Sequence, residues 1–300
     1  MSKDETARGE RLPRGPRVSA ESTVAGVVDA WQRSIEWRAM RPNTQNNYVL
    51  YLKPLFHALK VVPIADVRRS HLMAIRDNIA LDRGAGAALS FCRTVSSFFA
   101  WAVEREYREV SPATRLATKI PKGEYPTWRD DHAQQAMREL PEPYRRAVVL
   151  AYWTGQRRGD LCKLRWPSYD GEFIQLTQEK TERPVKIPVL PALRAELEAW
   201  KTDRSSMTIL EFHGRPWGLT YLSKHLPNRL EAIGLPRNGL HGLRKLCAVR
   251  LAEAGCSTHE IAGITGHDTL AMIQKYTKDV SQAELAKKAM AKWQAFLDRQ

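Results

Sequence analysis

Between Pro112 and Pro126 the chain reads PATRLATKIPKGEYP, with three prolines, a glycine and several charges. Proline fixes φ and removes a backbone donor, so neither a helix interior nor a central strand is expected to run through this stretch. It reads as a linker, and the residues on either side must then build separate cores. At 300 residues the chain is long enough for two such domains. The expected layout is a tail at 1–21, a helical domain at 22–110, a linker at 111–126 and a second domain at 127–300 with a helix at its C-terminal end.

Residues 1–21 are rich in Arg, Gly, Pro and Glu and carry almost no large apolar side chain. Such a segment cannot bury enough surface to offset its ordering entropy, so a disordered basic tail is expected. Helical spacing begins after it. Val24, Val27, Val28, Trp31 and Ile35 form one apolar stripe, and Tyr48, Leu52, Leu55, Phe56 and Leu59 form another. Pro54 should kink or end the first half of that second helix. Ser70 is placed to cap a helix running through Ile79. A long helix follows Gly84 and Gly86, with Leu89, Phe91, Val95, Phe98, Phe99, Ala102 and Val103. The first domain is therefore expected to be all-helical around an aromatic core.

The formal net charge is +14, which points to a polyanionic partner, and nucleic acid fits better than a membrane surface. No apolar run is long enough to span a bilayer, and the polar N-terminus does not read as a signal peptide. Cys92, Cys162, Cys247 and Cys256 are scattered and read as reduced thiols of a cytoplasmic protein. Asn43, Asn47, Lys53, Arg93 and Ser97 fall off the apolar stripes of the first domain and are candidates for DNA contacts.

In the second domain Asp130 or Asp131 should cap a helix, and an apolar helix should lead into Thr154-Gly155-Gln156-Arg157. Phe173 to Gln178 and Val185 to Val189 read as a β-hairpin with Lys180 near its tip. Residues 207–217 read as a loop or short strand. His241 and Arg244 then share a helix face, Gly255 marks a stop, and Ser257 with Glu260 forms a capping box. Gly266 should end that helix before His267, and Tyr276 follows. Breaking a phosphodiester needs a nucleophile, cationic donors for its oxygens and a proton donor for the leaving oxygen, and the stretch from His241 to Tyr276 supplies several of these at once. There is no P-loop, no carboxylate cluster for Mg²⁺ and no zinc-site spacing, so neither a metal nor another cofactor is expected.

In order and spacing, His241-x-x-Arg244, Gly266-His267 and Tyr276 resemble the C-terminal motif of the tyrosine recombinases, the phage-integrase family. Upstream, Thr154-Gly155-Gln156-Arg157-Arg158-Gly159-Asp160-Leu161 resembles the family's earlier motif, with Asp where Glu is commoner. Lys245 and Thr265 stand where many members carry His and Leu.

The resemblance implies a mainly α fold with a small β-sheet: a helical core-binding domain and an α+β catalytic domain. It implies a site-specific recombinase that cleaves and rejoins double-stranded DNA, integrating or excising a mobile element. Tyr276 would be the nucleophile, with Arg157 and Arg244 on the phosphate oxygens. Lys180, with Lys186 as the alternative, would protonate the leaving oxygen, His241 would assist proton movement, and His267 would hydrogen-bond a phosphate oxygen. Asp160 would orient the site. It further implies a homo-tetramer on DNA and leaves room for accessory proteins. The short N-terminus is expected to hold no folded arm-binding domain. Two alternatives stay open: a type IB topoisomerase-like nicking and resealing enzyme, and a DNA-binding regulator without catalysis.

Overall fold

The computed structural model describes residues 22–116, 128–267, 273 and 282–299. The expected tail lies outside them, as do residues 117–126 of the expected linker. The chain divides into two compact units, residues 1–124 and 125–300.

Helices α1 (Val24–Arg33), α2 (Ile35–Ala39), α3 (Pro42–Leu59), α4 (Arg69–Arg83) and α5 (Ala85–Glu104) build the first unit. Thr23 caps α1 by accepting from the Gly26 N–H at 3.3 Å, and Ser34 caps α2 in the same way through Trp37. Pro42 occupies the first helical positions of α3, where a missing N–H costs nothing. Pro54 does not end α3, which is assigned as one helix from Pro42 to Leu59. Leu52, Leu55 and Leu59 are buried on both sides of that proline, and their burial offsets the lost hydrogen bond. Ser70 is not a cap either. Arg68 holds the cap position and its N–H donates to His71 Nδ1 at 3.3 Å.

The core of this unit is aromatic. Trp31 meets Trp37 edge-on at 5.1 Å, stacks on Tyr48 at 5.4 Å and leans on Phe98 at 5.4 Å. Residues 111–116, expected to open the linker, pack onto this core instead. Ala113 and Leu116 are buried in it. The Ala113 carbonyl accepts from Ser96 at 3.2 Å, the Leu116 carbonyl from Arg76 at 3.3 Å, and the Thr114 carbonyl from Arg69. A segment whose carbonyls find donors and whose two apolar side chains find a core is ordered despite its proline. Asn43, Asn47 and Lys53 on α3 and Arg93 on α5 are exposed, and Ser97 is half-buried.

The second unit contains α6 (Asp130–Glu139), α7 (Glu142–Thr154), α8 (Arg158–Lys163), strands β1 (Phe173–Thr177) and β2 (Pro184–Pro188), and α9 (Pro191–Thr202). It continues with β3 (Glu211–Phe212), β4 (Arg215–Pro216), α10 (Leu219–Glu231), α11 (Leu240–Glu253), α12 (Thr258–Thr265) and α13 (Gln282–Leu297). Strands β1 and β2 form an antiparallel hairpin with Gln175 opposite Lys186, and β3 and β4 form a second, minimal one. The protein is thus mainly helical with two small sheets.

Helix α7 carries the consecutive buried residues Ala147 to Ala151 and packs against α11, which is itself buried from Gly242 to Ala248. Consecutive buried residues cover every face of a helix, which places these parts of α7 and α11 in the core. Asp130 and Asp131 sit inside the first turn of α6 rather than capping it, and Arg129 holds the cap position. Among the described residues no helix is long and apolar enough to cross a membrane.

Phe98 has no exposed surface and touches both Trp31 and Phe99. Phe98→Ala is expected to cost about 3–5 kcal/mol in urea denaturation of the full chain followed by circular dichroism. A cost under about 1 kcal/mol would contradict the placement of this ring at the centre of the first unit.

Candidate active site

Four segments of the second unit meet at one place: the end of α7, the β1–β2 hairpin, the first turns of α11 and the end of α12. Helix α7 stops because Gly155 takes a left-handed conformation, φ +62°. A Cβ there would lie 2.9 Å from Cys247 Sγ on α11, so the close approach also requires glycine. Helix α12 opens with the Ser257–Glu260 capping box and stops at Gly266, φ +68°. A Cβ on Gly266 would collide with the Gln178 amide.

Arg244 on α11 reaches across both helix ends. Its Nη1 donates to the Gly155 carbonyl at 3.0 Å and to the Thr265 carbonyl at 2.5 Å. The residue is 1% exposed. His241, one turn earlier on α11, is exposed, so the two partners of the H-x-x-R pattern differ in burial although they share a face.

Gln178, at the end of β1, is fully buried and links the segments. Its Nε2 donates to Gln156 Oε1 at 2.6 Å and to the Thr265 carbonyl at 2.8 Å. Its Oε1 accepts from Arg157 Nη1 and, at 3.0 Å, from Thr181 Oγ1. Gln156 in turn donates to the carbonyls of Thr154 at 2.9 Å and Ile264 at 2.8 Å. Asp160 on α8 accepts from the Glu179 N–H at 2.9 Å, which ties the hairpin turn to α8. Lys180 lies in that turn, exposed, one residue beyond the tie.

Arg157, Arg158, Lys180, Arg237 and His241 line an open groove of about 660 Å³. Lys186, the other lysine of the hairpin, does not line it; its ammonium sits 4.2 Å from the Phe173 ring. His241 is held below the ordinary imidazole value, first by desolvation and then by Arg244, Lys245, Arg157 and Lys180. His267, 2% exposed, is pushed from 6.5 down to about 3 by burial, with Arg244, Arg157 and His241 adding to the effect. Its Nδ1 lies 2.6 Å from Thr265 Oγ1.

The structure therefore gathers Arg157, Lys180, His241, Arg244 and His267. Tyr276 lies outside the described residues; Ile273, three positions before it, is buried with Ala248, Ala252 and Ile261. Asn43, Asn47, Lys53, Arg93 and Ser97 belong to the other unit. Sequence reading did not single out Gln156 or Gln178, and it noticed Thr265 only as a departure from a pattern. The available signal was slight: one polar residue inside the T-G-Q-R motif and one at a strand end. Among the described residues no group of His, Cys, Asp or Glu is arranged to hold a metal ion.

The model of the phage integrase family matches residues 129–282. The integrase of Enterobacteria phage 434 is 26% identical over 287 residues, covering 89% of this chain and 80% of that protein. Tyrosine recombinase XerC of Mycobacterium bovis (strain BCG / Pasteur 1173P2) is 31% identical over 232 residues, covering 69% of this chain and 78% of that protein. The crystal structure of a lambda integrase(75-356) dimer bound to a COC' core site superposes with a TM-score of 0.73 at 25% identity, covering 87% of this chain and 97% of that one.

The buried imidazole has a consequence for stability. An unfolded chain takes up a proton on His267 as pH falls through 6.5, whereas the folded chain does not until about 3. The stabilisation from this neutral ring is present above that unfolded value and is lost on acidification, by up to about 1.4 kcal/mol per pH unit. Denaturant titrations between about pH 7.5 and 5 are expected to show a decline that is shallower in His267→Gln. Equal slopes in the two proteins would overturn the assignment of a buried neutral ring.

Proposed function

Because the chain belongs to the phage integrase family, it is a tyrosine-type site-specific recombinase acting on DNA, and we propose that it works through a covalent link between Tyr276 and a 3′ phosphate. The observation that carries the reading is that Arg157, Lys180 and His241, from remote segments, line one basic groove, while the buried Arg244 and His267 lie close enough to act on them electrostatically. The Tyr276 oxygen attacks phosphorus, a P–O(Tyr) bond forms, and the bond to the 5′ oxygen breaks. The phenol proton goes to His241, which desolvation and then its cationic neighbours hold below the ordinary imidazole value. Lys180 gives a proton to the departing 5′ oxygen.

Arg157 and Arg244 stabilise charge on the non-bridging oxygens. Each is already held by protein acceptors, Gln178 in one case and two carbonyls in the other, so little reorganisation accompanies the reaction. His267 lies beside the same oxygens. One phosphodiester is exchanged for another, so its energy is conserved. A 5′ hydroxyl from a second strand can reverse the step without ATP or a metal. Exchange between two duplexes, each held by two subunits, calls for a homo-tetramer, with accessory proteins as further partners. Asn43, Asn47, Lys53, Arg93 and Ser97 are proposed to contact the double-stranded DNA from the helical unit, and the work is placed in the cytoplasm, on the integration or excision of a mobile element. The relatives are integrases and recombinases, which does not favour the topoisomerase or regulator readings.

The test is a nicked suicide duplex carrying the crossover site. A denaturation-resistant protein–DNA adduct is expected in EDTA as in its absence. Tyr276→Phe should abolish the adduct while DNA binding persists, and Arg157→Ala should slow its formation by about 10²–10³-fold. An adduct formed by Tyr276→Phe would disprove the nucleophile. Binding should also weaken steeply with salt, log Kd changing by about 0.9 per phosphate contacted for each tenfold rise. A flat salt response would contradict phosphate contact through the basic surface.

A further inference from the structure

The end of α12 determines more than the position of His267. Thr265 is fully buried, and its Oγ1 lies 2.6 Å from the Ile261 carbonyl oxygen one helical turn back. The same Oγ1 lies 2.6 Å from His267 Nδ1. The turn at Gly266 brings the ring back onto the threonine. Thr265 is held on its other sides as well. Its carbonyl accepts from Arg244 and Gln178, and its methyl packs at Gly155, so the hydroxyl is fixed between these two partners.

A hydroxyl carries one proton. A carbonyl oxygen has none to give, and two oxygens at this separation repel unless a proton lies between them. The Thr265 proton therefore goes to Ile261, and the Thr265 oxygen faces the ring as an acceptor. The proton of the second contact must come from the imidazole. We infer that Thr265 is a positioning residue that holds His267 in the Nδ1–H tautomer and so makes Nε2, at the far edge of the ring, a hydrogen-bond acceptor. Burial keeps the ring neutral, so the tautomer decides its chemistry.

Toward a phosphate oxyanion this ring can donate through Nε2 only after it takes up a second proton. Toward a phenol, a hydroxyl or a water it accepts at once. The inference thus deepens the recombinase reading, on which its catalytic meaning rests: in the resting site the Nε2 edge of His267 can receive a hydrogen bond and cannot give one. Valine in place of Thr265 would keep the shape and remove the acceptor. Serine would keep the hydroxyl.

Two-bond ¹H–¹⁵N correlation spectra of the full chain, labelled at histidine nitrogens, test this directly, with His267→Gln identifying the resonances among the eight histidines. The parent protein is expected to show His267 with a protonated Nδ1 and an unprotonated Nε2. Thr265→Ser should keep that pattern, and Thr265→Val should shift it to Nε2–H, the form favoured by imidazole in water. An Nε2–H pattern in the parent, or an Nδ1–H pattern that survives Thr265→Val, would overturn the inference. If Thr265→Val does not fold, the parent and Thr265→Ser spectra decide. The spectra need no DNA, so they stand or fall separately from the cleavage assay that tests the recombinase reading.

Discussion

The second unit is organised around one buried guanidinium. Removing a cation from water costs several kcal/mol, and Arg244 recovers that cost through charge-assisted hydrogen bonds to backbone carbonyls. Both carbonyls lie at helix C-termini: Gly155 caps α7, and Thr265 is the last residue of α12. Terminal carbonyls lack intrahelical partners and carry the negative end of the helix dipole. Two such ends aimed at one permanent cation satisfy each other, and the pairing draws segments 89 and 21 residues away from Arg244 to a single point. Both bonds leave from one nitrogen, Nη1, whose two N–H groups serve the two helix ends.

Gln178 transmits that arrangement to the hairpin. Its amide carries two N–H groups and one oxygen, and all are used: two carbonyl-type acceptors on one side, a guanidinium and a hydroxyl on the other. Gly266 has no side chain because this amide occupies the space. The hairpin turn is tied again through Glu179 and Asp160. Lys180 is therefore exposed at the groove on a fixed root. A long flexible chain on a fixed base suits a proton donor that must reach a leaving oxygen, whereas Arg157, held by Gln178, suits a charge that must not move.

Residues that act through local rules were legible in the sequence. The capping box at Ser257, the left-handed stops at Gly155 and Gly266, the hairpin around Lys180 and the helical stripes follow from neighbours within a few positions. Failures occurred where distant contacts overrode local preference. Pro54 is tolerated because leucines on both sides of it are buried, and residues 111–116 are ordered because Ser96, Arg69 and Arg76 supply donors. Gln156 and Gln178 were invisible for the same reason. Their partners lie 22, 87 and 108 residues away, and a lone glutamine at a strand end otherwise reads as solvated.

The site also separates charge from proton transfer. Guanidinium groups stay protonated at any working pH, so Arg157 and Arg244 present a constant positive field. Desolvation, reinforced by the same field, holds His241 and His267 below the ordinary imidazole value. A desolvated imidazole flanked by cations can take a proton from a phenol, and the phenolate that results is stabilised by those same cations. In the proposed reaction, phosphate binding and nucleophile activation would thus draw on one electrostatic source. Loss of either arginine would be felt twice, by weaker contact with the phosphate oxygens and by a less acidic nucleophile. Hydrolytic enzymes commonly obtain both effects from a metal ion; here an arrangement of side chains, held by helix ends and a buried amide, can provide them.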